Sequence, residues 1–282
     1  MRNEQVDVDV TTNYEDVIGE ASVRSLNDLL DAPGSPPALG DDIPPLWHWM
    51  GFPPRSKQSE LGIDGHPQVD PLLGVDRLPQ RMFAGGRIHF RRSIAVGERL
   101  HRFTRVKQVR DRVGHSGNLK IVTMLHEIYV GGALAIEEEQ ELIYRERKQL
   151  DLSVVPQHDS EREESWQWRL EFATSTSALF RYSALTYNAH RIHYDLEYAR
   201  SVEGYPGLVV SGPYQATCAA EVVRRLLPHR RIESFSFRAV RPAFANVRLR
   251  VRAREVVPLH LEVICFGADN HPTLKAEIVL RE

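Results

Sequence analysis

Residues 204–228 read "GYPGLVVSGPYQATCAAEVVRRLLP", and the fold turns on how this stretch is taken. A Gly-flanked apolar run, Leu208 to Val210, leads into Ser211, Gly212 and Pro213. Pro213 suits the first turn of a helix, where a missing N–H costs nothing, and Pro228 stops that helix. Between the prolines, Ala219, Val222, Val223 and Leu226 recur at helical spacing and mark an apolar face. Around this helix the chain alternates with period 2: "WQWRLEFAT" before it, and "IESFSFRAV", "VRLRVRAREVV" and "LHLEVICFG…TLKAEIVLRE" after it, taken as three closing strands. One clear helix among alternating strands predicts an α+β unit whose sheet wraps a single helix.

The first half repeats the theme. "GRIHFRRSI", "LHRFTRVKQVRDRVG", "LKIVTMLHEIYVGG" and "LAIEEEQELIYRER" read as strands, with "GGALA" as a hairpin turn. The segment from Phe90 aligns without gaps against the segment from Phe237, with Arg105 against Arg252 and Val109 against Val256. Two copies of one unit are therefore expected, over residues 1–150 and 151–282, joined by a polar linker at 148–165. The first copy has either lost its central helix or hides it in the Pro- and Gly-rich stretch 33–79. That stretch is expected to be a long covering loop anchored by Trp47, Trp49 and Phe52. A helix is expected at 21–32, others at "STSALFRYSALT" (capped by Ser175 or Ser177) and "DLEYARSV" (capped by Asp195), and a peripheral segment at 1–18.

Composition narrows the function. Thirty-six Lys and Arg stand against 38 Asp and Glu, so bulk charge attracts neither nucleic acid nor an anionic membrane. The polar N-terminus carries no apolar leader, and no stretch is long enough to span a bilayer. A cytoplasmic protein is expected, its two cysteines, Cys218 and Cys265, reduced and buried.

Residues 188–195, "NAHRIHYD", concentrate the chemistry. Three readings are open: a polar turn, a metal site built on His190, His193 and Asp195, and acid–base catalysis by a neutral histidine. The Ser211-Gly212-Pro213 turn favours the third. Backbone N–H groups at a helix start lack intrahelical partners and suit an oxygen gaining negative charge.

The segment "FRYSALTYNAHRIHYDLEYARSVEGYPGLVVSGP" resembles the active-site region of the MaoC-like (R)-specific enoyl-CoA hydratases and hot-dog dehydratases. Their pattern runs aspartate, any residue, asparagine, proline, aliphatic, histidine. Here those places hold Asn188, Ala189, His190, Arg191, Ile192 and His193, so only the last two agree. The departures, with "EGYPGLVV" and "LPQRMFAGGRIHF", resemble the itaconyl-CoA and mesaconyl-C4-CoA hydratase branch and the mitochondrial 3-hydroxyacyl-thioester dehydratases. The resemblance covers about 40–282 and implies a double hot-dog chain whose C-terminal half alone carries the motif.

It further implies hydration of an enoyl-CoA, with no cofactor, no metal and a homo-oligomeric assembly. His193 would be the base and Asn188 would hold the water. Gly212, Ser211, His190 and Arg191 would contact substrate, Arg191 through the free carboxylate of a dicarboxylic acyl group. The alternatives are a thioesterase and a non-catalytic acyl-CoA-binding protein.

Overall fold

A computed structural model describes residues 11–68, 80–114, 117–146, 165–268 and 270–281. The first half runs β1 (Thr11–Val17), α1 (Glu20–Leu29), a 3-10 turn (Trp47–Met50), β2 (Gln80–Phe90), β3 (Arg99–Gly114), β4 (Gly117–Val130) and β5 (Ala133–Arg145). The second runs β6 (Trp168–Phe172), α2 (Thr176–Leu185), α3 (Leu196–Ser201), β7 (Val209–Val210), α4 (Gly212–Leu226) and β8 (Arg231–Ala239). It ends in β9 (Ala243–Phe244), β10 (Leu249–Val257), β11 (His260–Phe266) and β12 (Pro272–Arg281).

Ten strands make one antiparallel sheet in the order β1-β3-β4-β5-β2-β8-β12-β11-β10-β6. Read outward from the β2–β8 seam, both arms show the same connectivity, so the fold is a double hot-dog of the α+β class. The structural match sets Arg91 against Val240, each sharing one carbonyl with its successor, and Gly97 against Asn246, both at positive φ. This is two residues away from the alignment of Phe90 with Phe237. An even slip keeps every side chain on its own face, so alternation alone does not choose between the registers. At the seam, a Cβ on Gly85 would meet the Phe237 carbonyl oxygen at 2.3 Å, which is why β2 carries "AGG" there.

The central helix is α4. It is buried on every side from Tyr214 to Val223, with Ala219 and Val222 fully enclosed, so it is a core helix rather than the amphipathic one the spacing predicted. Leu226, expected on the apolar face, is exposed at its end. Small residues (Ala216, Cys218, Ala219, Ala220) let the sheet close on it. In the first half its place in the chain order is taken by the Trp47–Met50 turn, entered through Leu46 at φ 70°. Trp47 is fully buried, with the Arg224 guanidinium 5.3 Å over its ring.

Three other expectations need correcting. Residues 11–17 are not peripheral but an edge strand, paired with β3 from Thr11↔Arg105 to Val17↔Arg99. Only one face of "TTNYEDV" is half-buried, so its polarity hid the alternation. The last expected strand is two, β11 and β12, and β2 begins before "GRIHF". The expected linker, apart from residue 165, and the 150/151 division lie outside the described residues.

Candidate active site

The strand-to-helix passage at Val209–Gly212 organises the site. His193 sits in a 3-10 turn, Arg191–His193, and its Nδ1 lies 2.7 Å from the Val209 carbonyl oxygen. A carbonyl only accepts, so Nδ1 carries the proton and Nε2 keeps its lone pair. His193 lines a cavity of about 930 Å³, within the range of small-molecule sites. Burial pushes its pKa down to about 4 against the opposing Val209 hydrogen bond, so the ring is neutral at physiological pH.

Three residues beyond Val209, α4 begins. Ser211 Oγ accepts from Tyr214 N at 3.3 Å, Gln215 N donates to Ser211 O, and Pro213 has no N–H. The amide of Gly212 is thus the first-turn donor left for a ligand, and Gly212 lines the cavity. Gln215 steadies the passage by donating to Val210 O and accepting from Thr273 Oγ1 at 2.7 Å.

Asn188 and His190 also face the cavity. Asn188 Oδ1 accepts from His190 N at 3.1 Å, so the asparagine braces the turn and keeps its amide N–H groups and one Oδ1 lone pair to offer a water. Arg191 goes elsewhere. Its guanidinium grips Asp195 Oδ2 at 2.6 Å, donates to Ile63 O and lies 4.3 Å over the Tyr198 ring. It is not among the cavity-lining residues, which corrects the expectation that it meets a substrate carboxylate. An aspartate four residues on, which also caps α3 through Tyr198 N, draws it outward.

The covering loop supplies the opposite wall, including Trp49, Phe52, Gly65 and His66. Glu138 accepts from Trp49 Nε1 at 2.8 Å and from His48 Nε2 at 3.1 Å, which holds the indole in an aromatic cluster with Phe83 and Phe237. The loop is keyed into the turn that carries Asn188, His190 and His193. Gly65 has φ +88°, a Cβ there would lie 1.9 Å from Ala189 O, and Arg191 N donates to Asp64 O.

This contact adds residues that sequence reading missed. His66 stands 4.4 Å from the His190 ring, which stands 5.3 Å from that of His193. Asp64, His66 and His190 bring ligand atoms within 4.8 Å of one another, a set different from the expected His190, His193 and Asp195. Arg81 Nη1 lies 2.9 Å from His66 Nε2, and a guanidinium there opposes a cation. "GIDGHP" signals a tight turn, but nothing in its spacing points to a histidine pair more than a hundred residues on. Cys218 and Cys265 are buried and free, and burial pushes both thiols up, so neither is a nucleophile.

Comparison with known proteins adds the lineage. Over 275 residues the chain is 39% identical to the mesaconyl-C4-CoA hydratase of Chloroflexus aurantiacus, covering 96% of this chain and 95% of that one. It is 36% identical over 138 residues to the mitochondrial hydroxyacyl-thioester dehydratase type 2 of Schizosaccharomyces pombe, covering 48% of this chain and 45% of that one. The crystal structure of a MaoC-like dehydratase from Phytophthora capsici superposes with a TM-score of 0.67 at 14% identity, covering 96% of each chain, a likeness of fold. The sequence profile of hydroxyacyl-thioester dehydratase type 2 matches residues 46–245, and this chain belongs to that family.

Proposed function

We propose that this protein adds water reversibly across the α,β double bond of an enoyl-CoA to give a 3-hydroxyacyl-CoA, with a short dicarboxylic acyl group such as mesaconyl-C4. One observation carries the reading: the Val209–Gly212 passage fixes the His193 tautomer and leads into the first turn of α4, whose Gly212 lines the same cavity. His193 Nε2 takes a proton from water as the oxygen bonds to the β-carbon. The electron pair moves to the thioester oxygen, where Gly212 N–H stabilises the enolate. The proton then passes from His193 to the α-carbon as the enolate collapses. Asn188 holds the water through its amide N–H, and His190 and Ser211 shape the substrate side.

Exposed rings at the mouth, Phe180, Tyr187 and Tyr194, suit a ligand larger than an acyl group, as a CoA thioester is. Reduced thiols and a diffusible CoA substrate support a cytoplasmic location, and no helix among the described residues is long and apolar enough to cross a membrane. A thioesterase would share the fold, but the start of α4 offers no acid: Glu221, its acidic residue, is buried against Arg224 and Arg225.

The test follows enoyl absorbance and free thiol together on crotonyl-CoA, itaconyl-CoA and both mesaconyl-CoA isomers. Loss of absorbance without thiol release is expected; thiol release instead would make it a thioesterase, and no turnover on any of them a binding protein. Gly65→Ala is expected to lower kcat/KM on the order of tenfold by lifting the loop from the catalytic turn. The strained φ adds a stability cost of about 1–3 kcal/mol, read as a lower Tm. Wild-type kinetics in that variant would remove the loop from the site.

A further inference from the structure

We propose that Arg81 is the residue that selects the acyl group, binding the free carboxylate of a dicarboxylic enoyl-CoA, with Asp64 and His66 holding it in position. The inference rests on the hydratase reading above and deepens it. Arg81 lines the cavity from the start of β2, two residues before Phe83, whose Cδ1 lies 3.4 Å from where a Cβ on Gly212 would be. Arg81 thus leaves β2 close to the Gly212 end of the cavity, and its guanidinium reaches His66 on the covering loop.

Its surroundings leave its charge unanswered. The hydrogen bond described for Arg81 goes to His66 Nε2 at 2.9 Å, and no carboxylate among the described residues pairs with it. Because a guanidinium only donates, His66 Nε2 accepts and the ring proton is on Nδ1, which lies in the field of Asp64 Oδ2 at 3.5 Å without hydrogen-bonding it. Asp64 is itself pinned: it is 3% exposed, and its Oδ1 accepts from His66 N at 3.0 Å. The chain Asp64–His66–Arg81 thus orients a half-buried cation without neutralising it. A guanidinium has five N–H groups in a rigid fork, and one is used here. A planar carboxylate fits the remainder in bidentate fashion.

The other cavity cations also have partners, so position rather than pairing alone singles out Arg81. Arg102 lies 4.5 Å over the Phe52 ring and in the field of Glu138. Arg145 donates Nε to Gln80, which bonds the buried carboxylate of Glu203 at 2.7 Å. Arg241 is engaged, and Arg191 does not line the cavity. Position agrees with chemistry as well. In mesaconyl-C4-CoA the free carboxylate is attached to the β-carbon, the atom that water attacks. Its binding cation must then share the site with the base, and His66 and His190 are the two rings between Arg81 and His193.

The experiment compares kcat/KM for mesaconyl-C4-CoA and crotonyl-CoA in the wild type, Arg81→Met and Arg81→Lys. Arg81→Met is expected to lose about 100-fold on the diacid, as a lost hydrogen-bonded charge pair does, and less than about threefold on crotonyl-CoA. Arg81→Lys restores part of the diacid activity. Crotonyl-CoA turnover reports that each variant is folded. Asp64→Asn, acting through His66, raises KM for the diacid by a larger factor than KM for crotonyl-CoA; an equal rise on both thioesters removes Asp64 from the carboxylate site. A wild-type enzyme that hydrates both thioesters equally well overturns the inference and leaves the hydratase reading standing. So does an Arg81→Met variant that keeps its preference, or one that loses both activities in proportion. A wild type that hydrates neither overturns the hydratase reading itself.

Discussion

His193→Ala lowers kcat for enoyl-CoA hydration by about a thousandfold, within the range a positioned general base supplies. The magnitude follows from the absence of an understudy. Asn188 stands where the family pattern has a carboxylate, and an amide takes no proton. His190 is near, and burial with the neighbouring His66 and His193 rings holds its pKa below the ordinary value, but no hydrogen bond among the described residues fixes its tautomer. His193 has the aligned lone pair, because Val209 O fixes its proton on Nδ1.

The same burial sets the pH profile. A folded-state pKa of about 4 keeps the base unprotonated across the whole neutral range. The acid limb of kcat/KM should therefore fall near pH 4 and not near 6.5. Stability moves with the same sign. The unfolded histidine takes a proton below about pH 6.5 while the folded one resists until about 4, so acid costs roughly 3 kcal/mol over that window. Turnover within about threefold of wild type in His193→Ala would remove this residue from the chemistry.

Much of this site was legible before the fold was known, for reasons that can be stated residue by residue. His193, Asn188 and Gly212 lie within one stretch of chain, where spacing carries information: a three-residue turn, a cap at Asp195, a proline in the first turn of α4. The place of α4 was legible from its flanking prolines and the doubled α+β unit from strand alternation, but helical spacing did not show that α4 is buried on every side. What failed has separate physical causes, the first being that a sequence does not record which side of a turn a side chain leaves. Arg191 was expected in the pocket because it adjoins His193, yet Asp195 and Ile63 O draw it outward. Arg81 was read only as part of the stretch "LPQRMFAGGRIHF" and His66 not at all, because their partners are brought together only when the covering loop seats Gly65 against Ala189 O. The edge strand Thr11–Val17 was hidden by its own polarity, as suits a strand with one face in water.

That loop is held by a buried charge, and its removal is the second large effect expected. Glu138→Ala costs about 3–5 kcal/mol, because it leaves three donors inside the protein without their acceptor at about 1–3 kcal/mol each before relaxation. The carboxylate is 2% exposed and accepts from His48 Nε2, Trp49 Nε1 and Gln140 Nε2. Burial by itself raises a carboxyl pKa. Here the hydrogen bond and charge of His48, with His126 and Gln140, outweigh it and hold the group at about 2 against an ordinary 4.5. The ionised state is therefore the stabilised one. Its contribution is complete above about pH 4.5 and is lost as pH falls toward 2, which adds an acid limb to the unfolding curve.

Glu138→Gln keeps the shape and removes the charge, so it should flatten that limb and cost less than alanine at neutral pH. Alanine leaves three donors facing an empty space, and at about 2–4 °C per kcal/mol for a chain of this size Tm should drop by roughly 10 °C. The functional consequence follows from Trp49. Freed from Glu138, the indole no longer holds its place with Phe83 and Phe237, and KM should rise before kcat falls. A Glu138→Ala protein that melts within about 2 °C of wild type would mean that water replaces the carboxylate at no cost, and that the loop is held by its aromatic packing alone.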